Sequence, residues 1–477
     1  MESRRSFLRT SAAAAVVSQT VRGANDRIQM GVIGTGGRGM QVFHDFSWHD
    51  DCVFIAACDV YGTRLAAAVQ TMGGKVDSYA DYRRVLDRKD IDAVLVTTPD
   101  HWHSPIVVDA VSAGKDVYVE KPVSNTLAAA QRMVEANQRY GRVVQVGCQQ
   151  RSTVHFQECV KMIQDGLLGK VTHAVLFYQG NYTQIQQPPE TPPATLDWEA
   201  FQGPAPRKPF SSGRLFWRSF YAYGGGLITD WGVHLTDIAH MALGCDKKGP
   251  MLTQASGRFV NIPQDDEEIP EAFVCSWQYE NFVMTFTNIT IPFPGLMLPG
   301  NWFISPKGAL HVDRGGYQIL PTGGRRTPPP AQPGGAPGAA PAGGGPAGGM
   351  QPGGAPGGAI AGRGPGGGAP GGAMAGRGPG GAPGGRGQAP APRPGGLFAP
   401  PSGPPLEAKE FRNTARGASG DTALHTRNFL DCVKSRQKPI CELEIGFYSS
   451  LPCLLALMSI QQGGRTIAWD GKTAKLV

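Results

Sequence analysis

Asp230, His234 and Asp237 recur at intervals of four and three along GGGLITDWGVHLTDIAHMALG, a stretch whose pattern predicts a helix from about Leu227 to Leu243. At about 100° per residue the three side chains fall within about 60° of one another, so one helix face concentrates two carboxylates and an imidazole. Imidazole titrates near working pH, which suits a catalytic base, and a carboxylate one turn away can fix its tautomer and raise its basicity. An ordinary helix whose histidine is satisfied by the aspartate four residues earlier has the same pattern. A metal reading would add His101 and His103 as nitrogen ligands to the same three residues.

A second group of residues is suited to holding a dinucleotide. In RIQMGVIGTGGRGM a short apolar strand runs into Gly34-x-Gly36-x-x-Gly39 and then a helical stretch that includes Gly37 and Arg38. Gly34 permits the tight turn, Gly36 lets the main chain approach a pyrophosphate, and Gly39 lets helix and strand pack closely. The helix N-terminus offers unpaired N–H groups to the phosphates. The next strand, Val53 to Cys58, ends in Asp59, twenty residues after Gly39, where a carboxylate can accept both ribose hydroxyls. That placement favours NAD; Arg64, one turn further on, would instead hold the 2′-phosphate of NADP.

The elements that must position these residues continue the alternation. IDAVLVTTP, KDVYVEKP and GRVVQVGCQQ read as strands with a helix opened near Ser104-Pro105 between the first two, which predicts a doubly wound parallel sheet over residues 27–150. Ligands bind at the carboxyl ends of such strands. At those ends stand Thr98-Pro99-Asp100-His101-Trp102-His103, Glu120-Lys121-Pro122 and Gln149-Gln150-Arg151, polar residues that would point at ligand. From residue 151 a helix gives way to aromatic-rich extended runs such as VTHAVLFYQ and FVMTFTNIT, which predict a largely antiparallel sheet. Trp198, Trp217, Arg218 and Tyr223 could stack on and hydrogen-bond a sugar, although aromatic residues in such a sheet more often belong to its core.

The glycine turn, Asp59, TPDHWH, AGKDVYVEKP and GGGLITDWGVHLTD, in this order, resemble the Gfo/Idh/MocA family of NAD(P)-dependent sugar and cyclitol oxidoreductases over about residues 27–320 and 420–470. WEAFQGPAPRKPF and HTRNFLDCVKSR are similar to its secreted bacterial branch. The resemblance implies an N-terminal Rossmann domain and a C-terminal α+β domain whose open sheet roofs the nicotinamide and commonly forms a homo-oligomer interface. It also implies a catalytic trio of Lys121, Asp230 and His234. His234 would take the hydroxyl proton as hydride leaves, Lys121 would stabilise the charge developing on the same oxygen, and Asp230 would orient the substrate. The cofactor would meet Gly34, Gly36, Gly37, Arg38, Gly39, Asp59, Arg64, Thr98, Pro99, His103, Glu120, Lys121 and Gln149, and the substrate Arg151, Trp198, Arg218 and Tyr223. Asp237 reads as a structural partner of its helix, and His101 as solvated. Such a hydride mechanism needs no metal.

SRRSFLR, Ser3 to Arg9, followed by SAAAAVVS, resembles a twin-arginine export signal over residues 1–26. The expected partner is the twin-arginine machinery and the expected location the periplasm or cell envelope. The net charge of +7 does not indicate a nucleic-acid surface. Six arginines in residues 323–405 and the N-terminal 22 residues together carry +9, so the rest of the chain stands near −2. Residues 323–405 hold 31 Gly, 20 Pro and 16 Ala and cannot bury a core, so they read as a disordered insert within a second domain of residues 151–322 and 406–477. Nine irregularly spaced cysteines, with no CxxC, indicate neither a zinc knuckle nor a disulfide framework. Two rival functions share this fold: redox-neutral NAD-dependent glycoside cleavage, and noncatalytic sugar binding in the envelope.

Overall fold

The computed structural model describes residues 27–182, 187–260, 268–289, 298–322, 406–412 and 418–477. The export segment and the Gly/Pro/Ala-rich insert expected from the sequence lie outside them.

Between Ile28 and Val146 short apolar strands alternate with helices: β1 (Ile28–Ile33), α1 (Gly37–Phe46), β2 (Cys52–Cys58), α2 (Gly62–Thr71), β3 (Asp77–Tyr79), α3 (Arg83–Leu86), β4 (Ala93–Val96), α4 (Asp100–Ser112), β5 (Asp116–Val119), α5 (Leu127–Tyr140) and β6 (Val144–Val146). The six strands are parallel, in the order β3-β2-β1-β4-β5-β6. Val94, Leu95, Val96, Val117, Tyr118 and Val119 are fully buried, as the central strands of a parallel sheet covered on both faces must be. The order reverses between β1 and β4, which opens a crevice beyond their carboxyl ends.

The second layer comprises α6 (Val154–Gln164), β7 (His173–Phe177), α7 (Trp198–Gln202), α8 (Gly226–Leu243), β8 (Leu252–Arg258), β9 (Ala272–Gln278), β10 (Val283–Thr287), β11 (Gly300–Ser305), β12 (Gly308–Asp313), β13 (Gly316–Pro321), β14 (Lys409–Arg412), α9 (Ala418–Ser435), α10 (Leu443–Gln461), β15 (Ile467–Trp469) and β16 (Ala474–Leu476). Its ten-stranded sheet runs β14-β13-β12-β11-β7-β10-β9-β8-β15-β16 and is antiparallel except where β7 meets β10. Along β8, β9 and β10 buried and exposed residues alternate, because only one face packs against helices.

Two C-terminal helices join the layers. α10 is apolar nearly throughout and is a core helix, with Leu451, Leu454 and Leu455 buried. It approaches β6 so closely that a Cβ on Gly446 would come within 2.4 Å of Val146 Cγ2. α10 also braces both parts of the site. The Val123 N–H donates to Ser450 Oγ at 3.3 Å, while Ser449 Oγ donates to Asp237 Oδ1 at 2.6 Å and its carbonyl accepts from Thr236 Oγ1 at 2.6 Å. α9 lies within residues 406–477 but packs against the first layer. Rather than joining the second layer, Phe429 and Leu430 complete the core beneath β1 and β2, with Phe429 meeting Phe46 and Tyr118 edge-on. Arg427 and Arg436 pair with Asp51 and Asp116 of the first layer. A parallel sheet needs apolar cover on both faces, and here the C-terminal chain returns to supply part of it.

Candidate active site

The glycine turn is built by close approach. Gly34 has φ +94°, and a Cβ there would lie 2.7 Å from main-chain atoms of Thr97 and Thr98; one on Gly39 would lie 2.1 Å from the Gly34 carbonyl oxygen. No side chain at Gly36 caps α1, and a Cβ on Gly37 would meet nothing within 4 Å, so space over the first turn is open. Asp59, just past β2, accepts from the Thr35 N–H at 2.7 Å, Thr35 Oγ1 at 3.0 Å and the Tyr61 N–H at 2.9 Å. Arg64 lies over the Tyr61 ring, 5.1 Å from its centroid, with Nη1 3.9 Å from a Cβ built on Gly36. Three buried polar atoms, Thr98 Oγ1, Gln149 Oε1 and His234 Nδ1, have no protein partner. An uncovered helix N-terminus together with orphaned polar atoms beyond β4 and β6 fits an extended polar ligand such as a dinucleotide.

Glu120 follows β5 and positions its neighbours. Its Oε1 accepts from Arg38 Nε at 2.9 Å and its Oε2 from the Lys121 N–H at 3.3 Å. Lys121 then reaches α8, where Nζ donates to the Asp230 carbonyl at 2.8 Å and to the Asp230 carboxylate. The remaining capacity of that carboxylate is taken by Tyr182 Oη at 2.6 Å and Arg218 Nε at 3.3 Å. Burial alone would raise the Asp230 pKa, but Lys121, Arg218 and the hydrogen bonds from Lys121 and Tyr182 outweigh it and hold the group well below the usual carboxylate range. His234 lies one turn on, 5% exposed. Burial first, and then the charges of Lys121 and Arg314, push its pKa well below the ordinary imidazole value, while Asp230 opposes them. The helix periodicity therefore places the two residues as expected, but Asp230 engages Lys121, Arg218 and Tyr182 and affects His234 only through its charge.

Several residues expected at the ligand are placed otherwise. Arg151 is 1% exposed, with Nε 2.6 Å from Asp237 Oδ1 and Nη2 2.5 Å from Asp246 Oδ1. It compensates a buried carboxylate instead of facing substrate, and Asp237 is the structural partner the sequence suggested. Trp198 stacks on Phe201 with centroids 5.1 Å apart and donates to the Lys208 carbonyl, and Tyr223 is fully buried in the same aromatic cluster, so both are core. His103 is 1% exposed and its ring nitrogens face the carbonyls of Pro122 and Thr98 at 2.8 and 2.9 Å, so it braces two strand ends. Expected to be solvated, His101 is buried against the Phe201 carbonyl at 3.0 Å. Of the five residues of the metal reading, Asp230, Asp237, His101 and His103 are each engaged by other partners. Cys148, Asp237 and Cys441 do lie together, fully buried, but the Cys441 hydrogen bond and burial push the Cys148 thiol well up, away from the thiolate a metal needs. All nine cysteines are free and buried.

The sequence reading missed Tyr182, Trp231 and Arg314. Tyr182 follows β7 with no periodic signal; Trp231 is adjacent to Asp230 in DWGVH; Arg314 sits in the Asp-Arg-Gly-Gly turn between β12 and β13.

Residues 28–148 match the family model described as the oxidoreductase family's NAD-binding Rossmann fold, and residues 152–278 that of its C-terminal alpha/beta domain. The chain belongs to the Gfo/Idh/MocA oxidoreductase family and carries an NAD-binding Rossmann domain. Among curated relatives, inositol 2-dehydrogenase of Salmonella typhimurium (strain LT2) is 32% identical over 146 residues, 30% of this chain and 42% of that protein. Glycosyl hydrolase family 109 protein 2 of Shewanella sp. (strain ANA-3) is 30% identical over 164 residues, 32% of this chain and 35% of that protein. The chain therefore spans less than half the length of the curated relatives it matches. Among solved structures, an aldose-aldose oxidoreductase from Caulobacter crescentus covers 93% of this chain and 100% of its own, with a TM-score of 0.56 at 16% identity. A levoglucosan dehydrogenase with NADH and levoglucosan covers 93% and 99%, with a TM-score of 0.58 at 14% identity. At these identities the structural likeness is one of fold.

Proposed function

We propose that the chain is an exported oxidoreductase that moves a hydride between a tightly held nicotinamide cofactor and a secondary hydroxyl, or the matching ketone, of a sugar, cyclitol or glycoside. The observation that carries this reading is Lys121, at the end of a strand of a glycine-turn dinucleotide fold, bound to Asp230 one helical turn before His234. When bound, the nicotinamide ring supplies the acceptor or donor of the hydride. The glycine turn, Asp59, Thr98 and Gln149 would hold the dinucleotide. Burial and the nearby cations favour the neutral imidazole of His234, and its Nδ1 has no protein partner, so it can accept the hydroxyl proton. Lys121 donates to the same oxygen and stabilises its developing charge. Asp230, held by Tyr182 and Arg218, keeps Lys121 in place and favours the imidazolium electrostatically.

Export to the periplasm or cell envelope rests on the twin-arginine pattern at Ser3–Arg9. It implies that cofactor is loaded before export and regenerated in place. Exposed Leu252, Val274 and Val283 on the open sheet support homo-oligomer formation through that face. The similarity to a family 109 glycosyl hydrolase favours one alternative, redox-neutral glycoside cleavage that begins with the same oxidation. Mass spectrometry of dinucleotide released from the denatured protein, followed by single-turnover reduction with a panel of pyranosides and their glycosides, tests the proposal. Stoichiometric NAD that no member of the panel reduces would count against it.

A further inference from the structure

The β12–β13 turn brings Arg314 to the site. Asp313 Oδ1 accepts from the Gly315 N–H at 2.7 Å, and the Arg314 guanidinium lies over Trp231, 4.5 Å from the ring centroid. Trp231 is the chain neighbour of Asp230, stacks on Tyr178 with centroids 3.5 Å apart, and meets His234 edge-on at 5.9 Å. Arg218 is held in a similar way over Trp217, 4.2 Å from its centroid, while its Nε reaches Asp230. Stacking on an indole fixes the plane of a guanidinium, and its N–H donors lie in that plane, the geometry that matches a carboxylate.

The charges favour the same ligand. The Asp230 carboxylate is shared by two cations, Lys121 and Arg218, leaving the trio with a positive excess. Asp100 is the other carboxyl acting on Arg218; it is buried, and burial pushes its pKa well up despite Arg218 and Lys121. A neutral polyol brings no counter-charge to this group.

We propose that the site takes an anionic sugar, a uronic acid or a glycoside of one, and that Arg314 and Arg218 receive its carboxylate beside Lys121, Asp230 and His234. The proposal rests on the hydride-transfer reading and names its substrate class.

Calorimetric titration of the full chain with its cofactor at pH 7 tests it, using methyl pyranosides in matched pairs: glucose and glucuronate, galactose and galacturonate, mannose and mannuronate. In at least one pair the uronate should bind at least about tenfold more tightly than its neutral partner, the scale of a charge-assisted contact. Arg314→Gln should reduce that ratio to within about twofold, whereas Arg314→Lys should retain part of it. Arg314 is exposed in a turn, and a thermal melt checks that both variants fold. No uronate preference in any pair, or a preference that survives Arg314→Gln, overturns the proposal. Neutral sugars that reduce bound NAD without such a preference would overturn it and leave the hydride reading standing. Arg314-dependent uronate binding without NAD reduction would support it and count against the hydride reading.

Discussion

Lys121 and Asp230 stand 109 positions apart in the chain, yet the ammonium of one binds both the carboxylate and the main-chain carbonyl of the other. The pair closes the gap between β5, the strand that ends beside the dinucleotide crevice, and α8, the helix that carries His234. Two bonds to one residue fix the Lys121 amine in direction as well as distance. Tyr182 Oη and Arg218 Nε complete the shell around the carboxylate. Tyr182→Phe should therefore loosen the pair without removing a group that reacts, lowering kcat by about tenfold or less while KM stays within about twofold. Steady-state kinetics on whichever sugar reduces the cofactor checks this split.

Asp59 carries a prediction about cofactor. Its carboxylate orders Thr35 and Tyr61, and under the proposed function it would also accept from the ribose, so Asp59→Ala would remove ligand contacts and loosen the turn. Dinucleotide content should fall, with affinity reduced by at least about tenfold from the loss of charge-assisted bonds. Quantifying nucleotide released from wild type and variant checks this. Release of NADP from the wild type would move the assignment to Arg64.

Arg151 was read from the sequence as a substrate ligand and is now expected to act on stability. Its pair with Asp237 is buried on both sides, at 2% and 1% side-chain exposure. Arg151→Met would strand the carboxylate and should cost about 3 to 5 kcal/mol in unfolding free energy. Urea denaturation measures it, and a variant that keeps full stability but loses substrate affinity would restore the original reading.

The buried histidines predict acid sensitivity beginning above the carboxylate range. Burial pushes His101 and His425 down to about 4 and His240 to about 3. An unfolded histidine binds its proton near pH 6.5. Below that pH the unfolded chain takes up protons that the folded chain refuses. Stability is thus complete above about 6.5 and falls as pH drops toward 4, by up to about 1.4 kcal/mol per pH unit for each histidine. His425 bonds the Val146 carbonyl and Ser152 outside the catalytic group, so His425→Gln should flatten the slope by one histidine's share. An unchanged slope in urea titrations from pH 7 to 4 would contradict this.

The insert between β13 and β14 should be dispensable. These strands pair directly, Ile319 opposite Lys409, so the chain re-enters the sheet beside the point where it left. A loop's closure cost grows only as the logarithm of its length, so replacing residues 325–403 with a short turn changes stability by about 2 kcal/mol at most. Turnover and melting temperature of the deletion variant should stay close to wild type; loss of folding would show that the insert packs on the fold.

The parts of the molecule written in local pattern were legible in the sequence. Alternating apolar runs and helices gave the parallel sheet, the glycine spacing gave the turn at Gly34, and helical periodicity put Asp230 and His234 on one face. The parts set by tertiary return were not. Nothing local marks α9 as cover for the first sheet, and the same strand-end position that brings Lys121 to the crevice buries Arg151 against Asp237. Trp198 and Tyr223 have the composition of a sugar platform but the environment of a core. Tyr182 and Arg314 reach the site from a loop and a hairpin turn whose positions depend on a ten-stranded sheet that no single segment encodes.

The central claim is that Lys121 and His234 act on one oxygen in a hydride-transfer reaction. Its most direct test is the single-turnover reduction of bound NAD by a panel of neutral and acidic pyranosides, measured by stopped-flow absorbance for Lys121→Ala, His234→Ala and the double variant. Each single change should lower the rate by at least about a hundredfold with cofactor retained, and the double variant should be little worse than the poorer single, because both groups serve one transition state. Wild-type rates in all three variants would contradict the account and place the chemistry elsewhere.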